Sequence, residues 1–227
     1  MNWQSYAPGR TSRTREAIEW SINYQFNATD PTGPRVLLIG DSICKGYHEA
    51  VRRRLDGRVN LSFWASSKCV TDPDYFMELD HILSILPCSL ICFNNGLHSL
   101  VSDRAEWTQA YRAAVAFMRD SQPDTLLSLT LSTPLTDPAL TAVSRELNGY
   151  VLELAAERGL PVIDLFTPMD ALDRERYWRD VYHFTDAAVD MQADIIARHV
   201  LGRLGLEGAP DSLERARTAT GPDGRMD

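Results

Sequence analysis

The sequence predicts an α/β fold: a three-layer α/β/α sandwich with a central, mostly parallel sheet of about five strands. The first observation is size and composition. The 227 residues, 44% hydrophobic and 24% charged, are typical of a single globular domain that buries its own core. The second is that short apolar runs alternate along the chain with longer segments of helical periodicity. This alternation is typical of βαβ units, whose right-handed crossovers put helices on both faces of a parallel sheet.

Five short segments have the apolar, β-forming composition of buried strands, and Gly40 directly follows the first of them. The predicted strands cover residues 35–39, 59–64, 89–93, 125–131 and 161–165. The segments between them place apolar residues on one helical face, most clearly from Leu140 to Leu154. The predicted helices cover residues 46–55, 75–86, 103–119, 140–156 and 185–204.

The two ends of the chain differ from this alternating part, which we assign as one domain over 35–204. Residues 1–34 form a predicted N-terminal extension with five aromatic residues, a short helix over 14–24 and a loop-forming Pro/Gly cluster at its end. The aromatic content indicates an ordered segment, which we expect either to pack over the sheet edge or to form a homo-oligomer interface. Residues 205–227 are rich in Gly, Pro and charge, which predicts a flexible C-terminal tail.

Charge and composition exclude several classes of function. The formal net charge of −8 opposes nucleic-acid binding, which is typical of basic domains. No run reaches the ~18 apolar residues of a membrane span, and no secretory signal precedes the domain. The four cysteines follow no disulfide pattern, so we expect a cytoplasmic protein. No set of metal ligands converges in the sequence, so neither a metal ion nor another cofactor is expected.

In a parallel α/β sheet the ligand site lies at the carboxyl ends of the strands, so the residues that follow each strand are the candidates. Gly40-Asp41-Ser42 follows the first strand and places Ser42 at the entrance of a helix. Free N–H groups and the positive end of the helix dipole favour an anion there, which suits a nucleophilic serine. Taken alone, Ser42 is more typical of a helix cap.

Two further segments carry candidate chemistry. Asp180 precedes His183 by three residues, a spacing that lets the carboxylate orient the imidazole as a base, although it also suits a surface pair. The segment from Asn94 to His98 follows the third strand and is a candidate source of oxyanion donors. The alternative for that segment is a turn, in which Asn tolerates left-handed geometry.

Together these segments resemble the SGNH, or GDSL-type, hydrolase family. The family's first block is matched by Leu38 to Ser42, and its last block, Asp-x-x-His, by Asp180 to His183. The resemblance covers residues 35–204 and implies the SGNH-hydrolase fold, which is flavodoxin-like. It also implies ester hydrolysis by a triad of Ser42, His183 and Asp180, with the Ser42 N–H as one oxyanion donor.

The two middle blocks depart from the family pattern. The family's second block offers a Gly N–H to the oxyanion, but residues 64–69 contain no Gly, so the backbone of Ser66 or Ser67 is the candidate instead. The third block, usually Gly-x-Asn-Asp, aligns with residues 96–99 and puts His98 where the family has Asn. Asn94 or Asn95 is the alternative oxyanion donor.

The predicted function is therefore the hydrolysis of a small carboxylic ester, with a short acyl group such as acetyl on a sugar or small alcohol. Asp41, beside the nucleophile, and Thr133 and Pro134, after the fourth strand, are the candidate substrate-binding residues. Two alternatives stay open. The same triad could transfer the acyl group to an alcohol, or the chain could be a non-catalytic binding domain with an altered oxyanion hole.

Overall fold

The computed structural model describes residues 2–207, which contain one sheet of six strands. In chain order the strands are β1 (Ser21–Gln25), β2 (Arg35–Gly40), β3 (Asn60–Ser66), β4 (Leu90–Phe93), β5 (Leu126–Thr130) and β6 (Val162–Ile163). Across the sheet the order is β1-β3-β2-β4-β5-β6, and only the β1–β3 pair is antiparallel. The predicted α/β fold with a mostly parallel sheet is confirmed.

Seven α-helices connect or follow these strands within residues 2–207. They are α1 (Ser42–Leu55), α2 (Pro73–Ile85), α3 (Arg104–Ser121), α4 (Pro138–Arg158), α5 (Phe166–Asp170), α6 (Arg174–Tyr177) and α7 (Asp186–Arg203). Helix α1 packs along α7, whereas α3 contacts both α2 and α4. With right-handed crossovers, α1 and α7 cover one face of the sheet and the other three long helices cover the opposite face.

Strand β2 lies at the centre of this arrangement. Both β2 and β3 are buried along their whole length, as expected for strands that helices cover on both faces. The chain leaves β2 for β3 on one side and later returns to β4 on the other side. The carboxyl end of β2 is therefore the topological switch point, where α/β sheets bind ligands, and Ser42 follows it directly.

The sixth strand was not predicted, and the helix predicted over 14–24 is wrong. Residues Ser21–Gln25 alternate polar and apolar side chains, which is the period of a strand. They form edge strand β1, with Ser21 opposite Ser66 and Gln25 opposite Ser62 of β3. Pairing with β3 provides hydrogen-bond partners for an otherwise open sheet edge, which a helix at this position would not.

The domain boundaries at residues 34 and 204 stay predictions. Of the predicted C-terminal tail, only residues 205–207 are described, and the Leu206 N–H donates to the Leu201 carbonyl at 2.8 Å. The rest of that tail lies outside the described residues. Among residues 2–207, no helix combines the length and apolar character needed to cross a membrane.

Candidate active site

Ser42 is the first residue of α1 and lies half-buried at the carboxyl end of β2. The Asp41 carboxylate caps the helix by accepting from the Ile43 N–H at 2.9 Å. Gly40 is required at the turn, because a Cβ there would lie 2.6 Å from the Cys44 Cβ. The tight turn thus places Ser42 in the first turn of α1, whose N–H groups have no partner within the helix.

The structure brings Ser42, His183 and Asp180 together across 141 residues of sequence. The Nε2 atom of His183 lies 2.9 Å from the Oγ of Ser42. The Nδ1 atom of His183 lies 2.8 Å from one Asp180 carboxylate oxygen and 3.1 Å from the other. A carboxylate cannot donate, so Nδ1 carries the proton and donates it to Asp180. Nε2 of the neutral ring is therefore the acceptor that faces the serine hydroxyl.

Asp180 is held as an anion by its own loop. Burial alone raises the pKa of its carboxyl group, but N–H donors from the backbone of His183, the His183 ring and the backbone of Tyr182 lower the pKa to about 2. The two backbone bonds measure 2.8 and 2.7 Å. Asp180 therefore stays ionised throughout the neutral and mildly acidic range.

Short-range contacts fix the loop that carries His183. The Arg179 N–H donates to the His183 carbonyl at 2.7 Å, and an antiparallel bridge joins Trp178 to Phe184. The rings of Trp178 and Phe184 pack with centroids 4.4 Å apart. Although the side chain of His183 is 44% exposed, its backbone is therefore anchored.

The predicted oxyanion donors Asn94 and Asn95 have structural partners. The Asn94 amide donates to the Thr130 carbonyl at 2.8 Å and to the Ser132 hydroxyl at 3.0 Å. The Asn95 amide donates to the Lys68 carbonyl at 2.9 Å and accepts from the Val70 N–H at 3.0 Å. Both side chains thus join the loops at the carboxyl edge of the sheet. Their roles as oxyanion donors stay predictions.

His98 and Ser66 also have partners at this edge. His98 Nδ1 lies 2.5 Å from a Glu16 carboxylate oxygen, and its Nε2 is buried without a hydrogen-bond partner. The Ser66 hydroxyl donates to the Trp20 carbonyl at 3.2 Å and accepts from the Lys68 N–H at 3.1 Å. The backbone N–H of the alternative donor, Ser67, donates to the Trp20 carbonyl. Their roles as oxyanion donors also stay predictions.

The three predicted substrate-binding residues are buried beside the turn. Asp41 is 3% exposed and Thr133 1% exposed, and Pro134 is also buried. One Asp41 carboxylate oxygen and the Thr133 hydroxyl lack hydrogen-bond partners. Both residues line a void of about 10 Å³, about the size of one water molecule. Substrate contact by these residues stays a prediction.

The N-terminal segment contributes to this edge through residues that the sequence did not single out. The buried Arg13 guanidinium donates to the Ser67 carbonyl at 3.0 Å, to the His98 carbonyl at 3.2 Å and to the Asp72 carboxylate at 2.7 Å. Trp20 lies between α1 and His98, with Lys45 of α1 over its ring. These contacts are long-range and follow no local motif. The aromatic content of the segment indicated order but not its location.

Within residues 2–207, no group of three or more His, Cys, Asp or Glu side chains is arranged to hold a metal ion.

Neither a protein-family model nor a curated protein matches the sequence. Solved structures do match. A lipolytic protein of the G-D-S-L family from Veillonella parvula is 20% identical, with a TM-score of 0.63 over 75% of this chain and 100% of that chain. An acetylxylan esterase from Geobacillus stearothermophilus is 14% identical, with a TM-score of 0.61 over 77% of this chain and 95% of that chain.

A family two carbohydrate esterase from Clostridium thermocellum, solved with cellohexaose, is 14% identical, with a TM-score of 0.59 over 78% of this chain and 66% of that chain. At this level of identity the likeness concerns the fold. The chain has the fold of the GDSL, or SGNH, lipolytic proteins and esterases, and the fold that the sequence resemblance implies is confirmed.

Proposed function

We propose that the chain is a serine ester hydrolase in which Ser42 is the nucleophile. The observation that carries this proposal is the continuous hydrogen-bonded line from the Ser42 hydroxyl through His183 to Asp180. Nucleophile, base and orienting carboxylate within hydrogen-bond distance of one another are the general signature of nucleophilic catalysis.

The first half-reaction forms an acyl-enzyme. Ser42 Oγ attacks the ester carbonyl carbon while His183 Nε2 takes the hydroxyl proton, and Asp180 stabilises the resulting imidazolium. The tetrahedral oxyanion forms at the N-terminus of α1, where the Ser42 N–H and the helix dipole favour negative charge. His183 then gives its proton to the leaving alcohol as the carbon–oxygen ester bond breaks.

A second oxyanion donor comes from residues that follow the strands on either side of β2. The candidates stay the backbone of Ser66 and the side chains of Asn94, Asn95 and His98. Ser66, Asn94 and Asn95 already bond to neighbouring loops, whereas the buried Nε2 of His98 has no hydrogen-bond partner. Loss of one such donor typically costs about 10²–10³-fold in rate.

For the substrate we propose a short acyl ester, such as an acetyl group on a sugar or small alcohol. Two proteins of the same fold, the acetylxylan esterase and the carbohydrate esterase, support this class by their names.

We also propose that the protein resides in the cytoplasm. Its four cysteines support this, because none of them forms a disulfide. The N-terminal segment remains our candidate for a homo-oligomer interface, since β1 is an edge strand, and the mass in solution tests this.

The test is hydrolysis of p-nitrophenyl acetate, butyrate and octanoate by the wild type and by Ser42→Ala. We expect the wild type to prefer acetate, and Ser42→Ala to lose at least about 10³-fold in kcat, as for other triad nucleophiles. Ser84→Ala is the matched control, because Ser84 lies on α2 and its hydroxyl bonds only to the His81 carbonyl. Equal activity of wild type and Ser42→Ala would contradict the proposal.

A further inference from the structure

One basic side chain next to the proposed nucleophile takes no part in the triad. Lys45 follows Ser42 by three residues in α1, so the two side chains lie on the same face of the helix. Side chains of a helix lean toward its N-terminus, which directs the exposed Lys45 back over the turn that carries Ser42. Its ammonium group is therefore available beside the Ser42–His183 pair.

Other basic side chains near this edge of the sheet are paired with acids. They form the ion pairs Arg13–Asp72, Lys68–Glu78 and Arg179–Asp186. Lys45 forms no ion pair within residues 2–207. The next acid along its helix, Glu49, is bonded to Arg52 at 2.9 Å. The charge of Lys45 is thus free to attract an anion from solution.

The indole ring of Trp20 restricts where this ammonium group can move. The Nζ atom of Lys45 lies 5.5 Å from the centroid of the ring, within the range of a cation–π interaction. The backbone of Trp20 is itself fixed, because its N–H donates to the Ser67 hydroxyl at 2.8 Å and its carbonyl accepts from the Ser67 N–H at 3.0 Å. The ring therefore holds the charge between α1 and the loop that follows β3.

The acids that precede Trp20 in the chain have partners of their own. Glu16 pairs with His98, and Glu19 pairs with Arg13. The protein as a whole carries a net charge of −8, which repels anions. An unpaired cation beside the nucleophile reverses this effect locally, and such a local potential concentrates substrates of the opposite charge.

We propose that Lys45 determines specificity by binding a negatively charged group on the alcohol part of the ester, and that Trp20 positions Lys45. This inference rests on the proposed serine-esterase function and narrows its substrates to short acyl esters of anionic alcohols, such as a sugar acid or a sugar phosphate. The charge belongs to the alcohol part, because an acetyl group carries none. Lys45 binds the substrate and transfers no proton.

The first test compares 4-nitrophenyl acetate with 3-carboxy-4-nitrophenyl acetate, which differ by one carboxylate on the alcohol part. We expect the wild type to favour the charged ester in kcat/KM by about 3-fold, after correction for the uncatalysed rates. Lys45→Gln should lower this preference about 3–10-fold, as for a partly exposed charge-assisted contact, and should act through KM. Lys45→Arg should retain it. Arg53→Gln, which removes the same charge from an exposed position of α1, is the matched control.

The second test concerns the origin of the preference. Raising the ionic strength from about 0.01 to 1 M should remove most of it, because the Debye length falls from about 30 to about 3 Å. Trp20→Leu should lower the preference, whereas Trp20→Phe keeps an aromatic face and should retain most of it. A preference that does not change with salt would contradict the binding of a charge. An equal preference in Trp20→Leu and the wild type would overturn the positioning role of Trp20.

The third test distinguishes the two kinds of anionic alcohol. Glucose, glucuronate and glucose 6-phosphate are compared as competitive inhibitors of 4-nitrophenyl acetate hydrolysis. We expect one of the two anions to inhibit at least about 3-fold more strongly than glucose, and Lys45→Gln to abolish the difference. Glucuronate as the stronger inhibitor indicates a sugar acid, and glucose 6-phosphate indicates a sugar phosphate. Equal inhibition by all three compounds overturns the proposal.

The outcomes separate this inference from the proposed function. A wild type that cleaves neither acetate and forms no acetyl-enzyme at Ser42 contradicts the esterase function itself. A wild type that cleaves both acetates at equal corrected rates overturns the role of Lys45 and leaves the esterase function standing. The same conclusion follows from a preference that Lys45→Gln and Arg53→Gln share with the wild type.

Discussion

At the scale of single residues, the arrangement of protons explains how the site would work. Asp180 accepts two backbone N–H bonds from its own loop and so remains an anion that faces His183 Nδ1. This fixes the proton on Nδ1 and leaves Nε2 free to accept from Ser42. The tautomer of the base is thus set by a loop of four residues, Asp180 to His183.

Asp180→Asn tests this assignment. The Asn oxygen still accepts the backbone N–H groups, so the loop is retained, but its amide donates to His183 Nδ1 and moves the ring proton to Nε2. We expect kcat to fall by roughly 10²–10⁴-fold while Tm changes little. Glu175→Gln, an exposed acid on α6, is the isosteric control. Wild-type activity in Asp180→Asn would show that the carboxylate does not set the tautomer.

The lowered pKa of Asp180 also predicts how the activity depends on pH. Its folded pKa of about 2 is below the ordinary value of 3.8, so the charge is retained above about pH 4 and lost only as the pH falls toward 2. Between pH 4 and 7, Asp180 should therefore contribute no proton to the pH dependence of kcat/KM. A plot of log kcat/KM against pH with a slope of two between pH 4 and 7, measured with a neutral ester, would contradict this.

At the scale of elements, the N-terminal segment explains what holds the carboxyl edge of the sheet together. Arg13 bonds the carbonyls of Ser67 and His98, which follow β3 and β4, and pairs with the fully buried Asp72. Burial raises the pKa of Asp72, whereas the Cys69 N–H and Arg13 lower it, so Arg13 supports the charged form. Strand β1 then continues from this segment along β3.

Removing Arg13 should destabilise the fold as well as the site. We expect Arg13→Ala to lower the free energy of unfolding by about 3–5 kcal/mol, because it leaves the Asp72 carboxylate buried without its partner. Urea unfolding measures this. The control is Arg15→Ala, whose pair with Asp74 is half-exposed and should contribute at most about 1 kcal/mol. Equal losses in the two variants would contradict the structural role of Arg13.

At the scale of the whole molecule, the central strands and the long helices were predictable because each carries a local period. The candidate triad was predictable for a different reason: Ser42 and His183 each belong to a short motif at a strand or helix end, and the topology of parallel strands brings such ends to one edge. Neither prediction required knowledge of long-range contacts.

What could not be predicted depends on such contacts. Strand β1 is only five residues long and half-exposed, so its pattern is weak without β3 beside it. Asp72, which pairs with Arg13, and His98, which pairs with Glu16, lie more than fifty residues away in sequence. Gln192 looks like an ordinary polar residue of a helix, but the structure places its amide in the interior, without a hydrogen-bond partner.

The central claim is that Ser42 is a nucleophile activated by His183, and covalent labelling tests it most directly. The protein is treated with a fluorophosphonate, and the adduct is located by mass spectrometry of intact and digested protein. The account predicts one adduct, on Ser42, whose formation slows by at least about 10²-fold in His183→Ala. An adduct on another serine, or labelling of Ser42 at the same rate without His183, would contradict it.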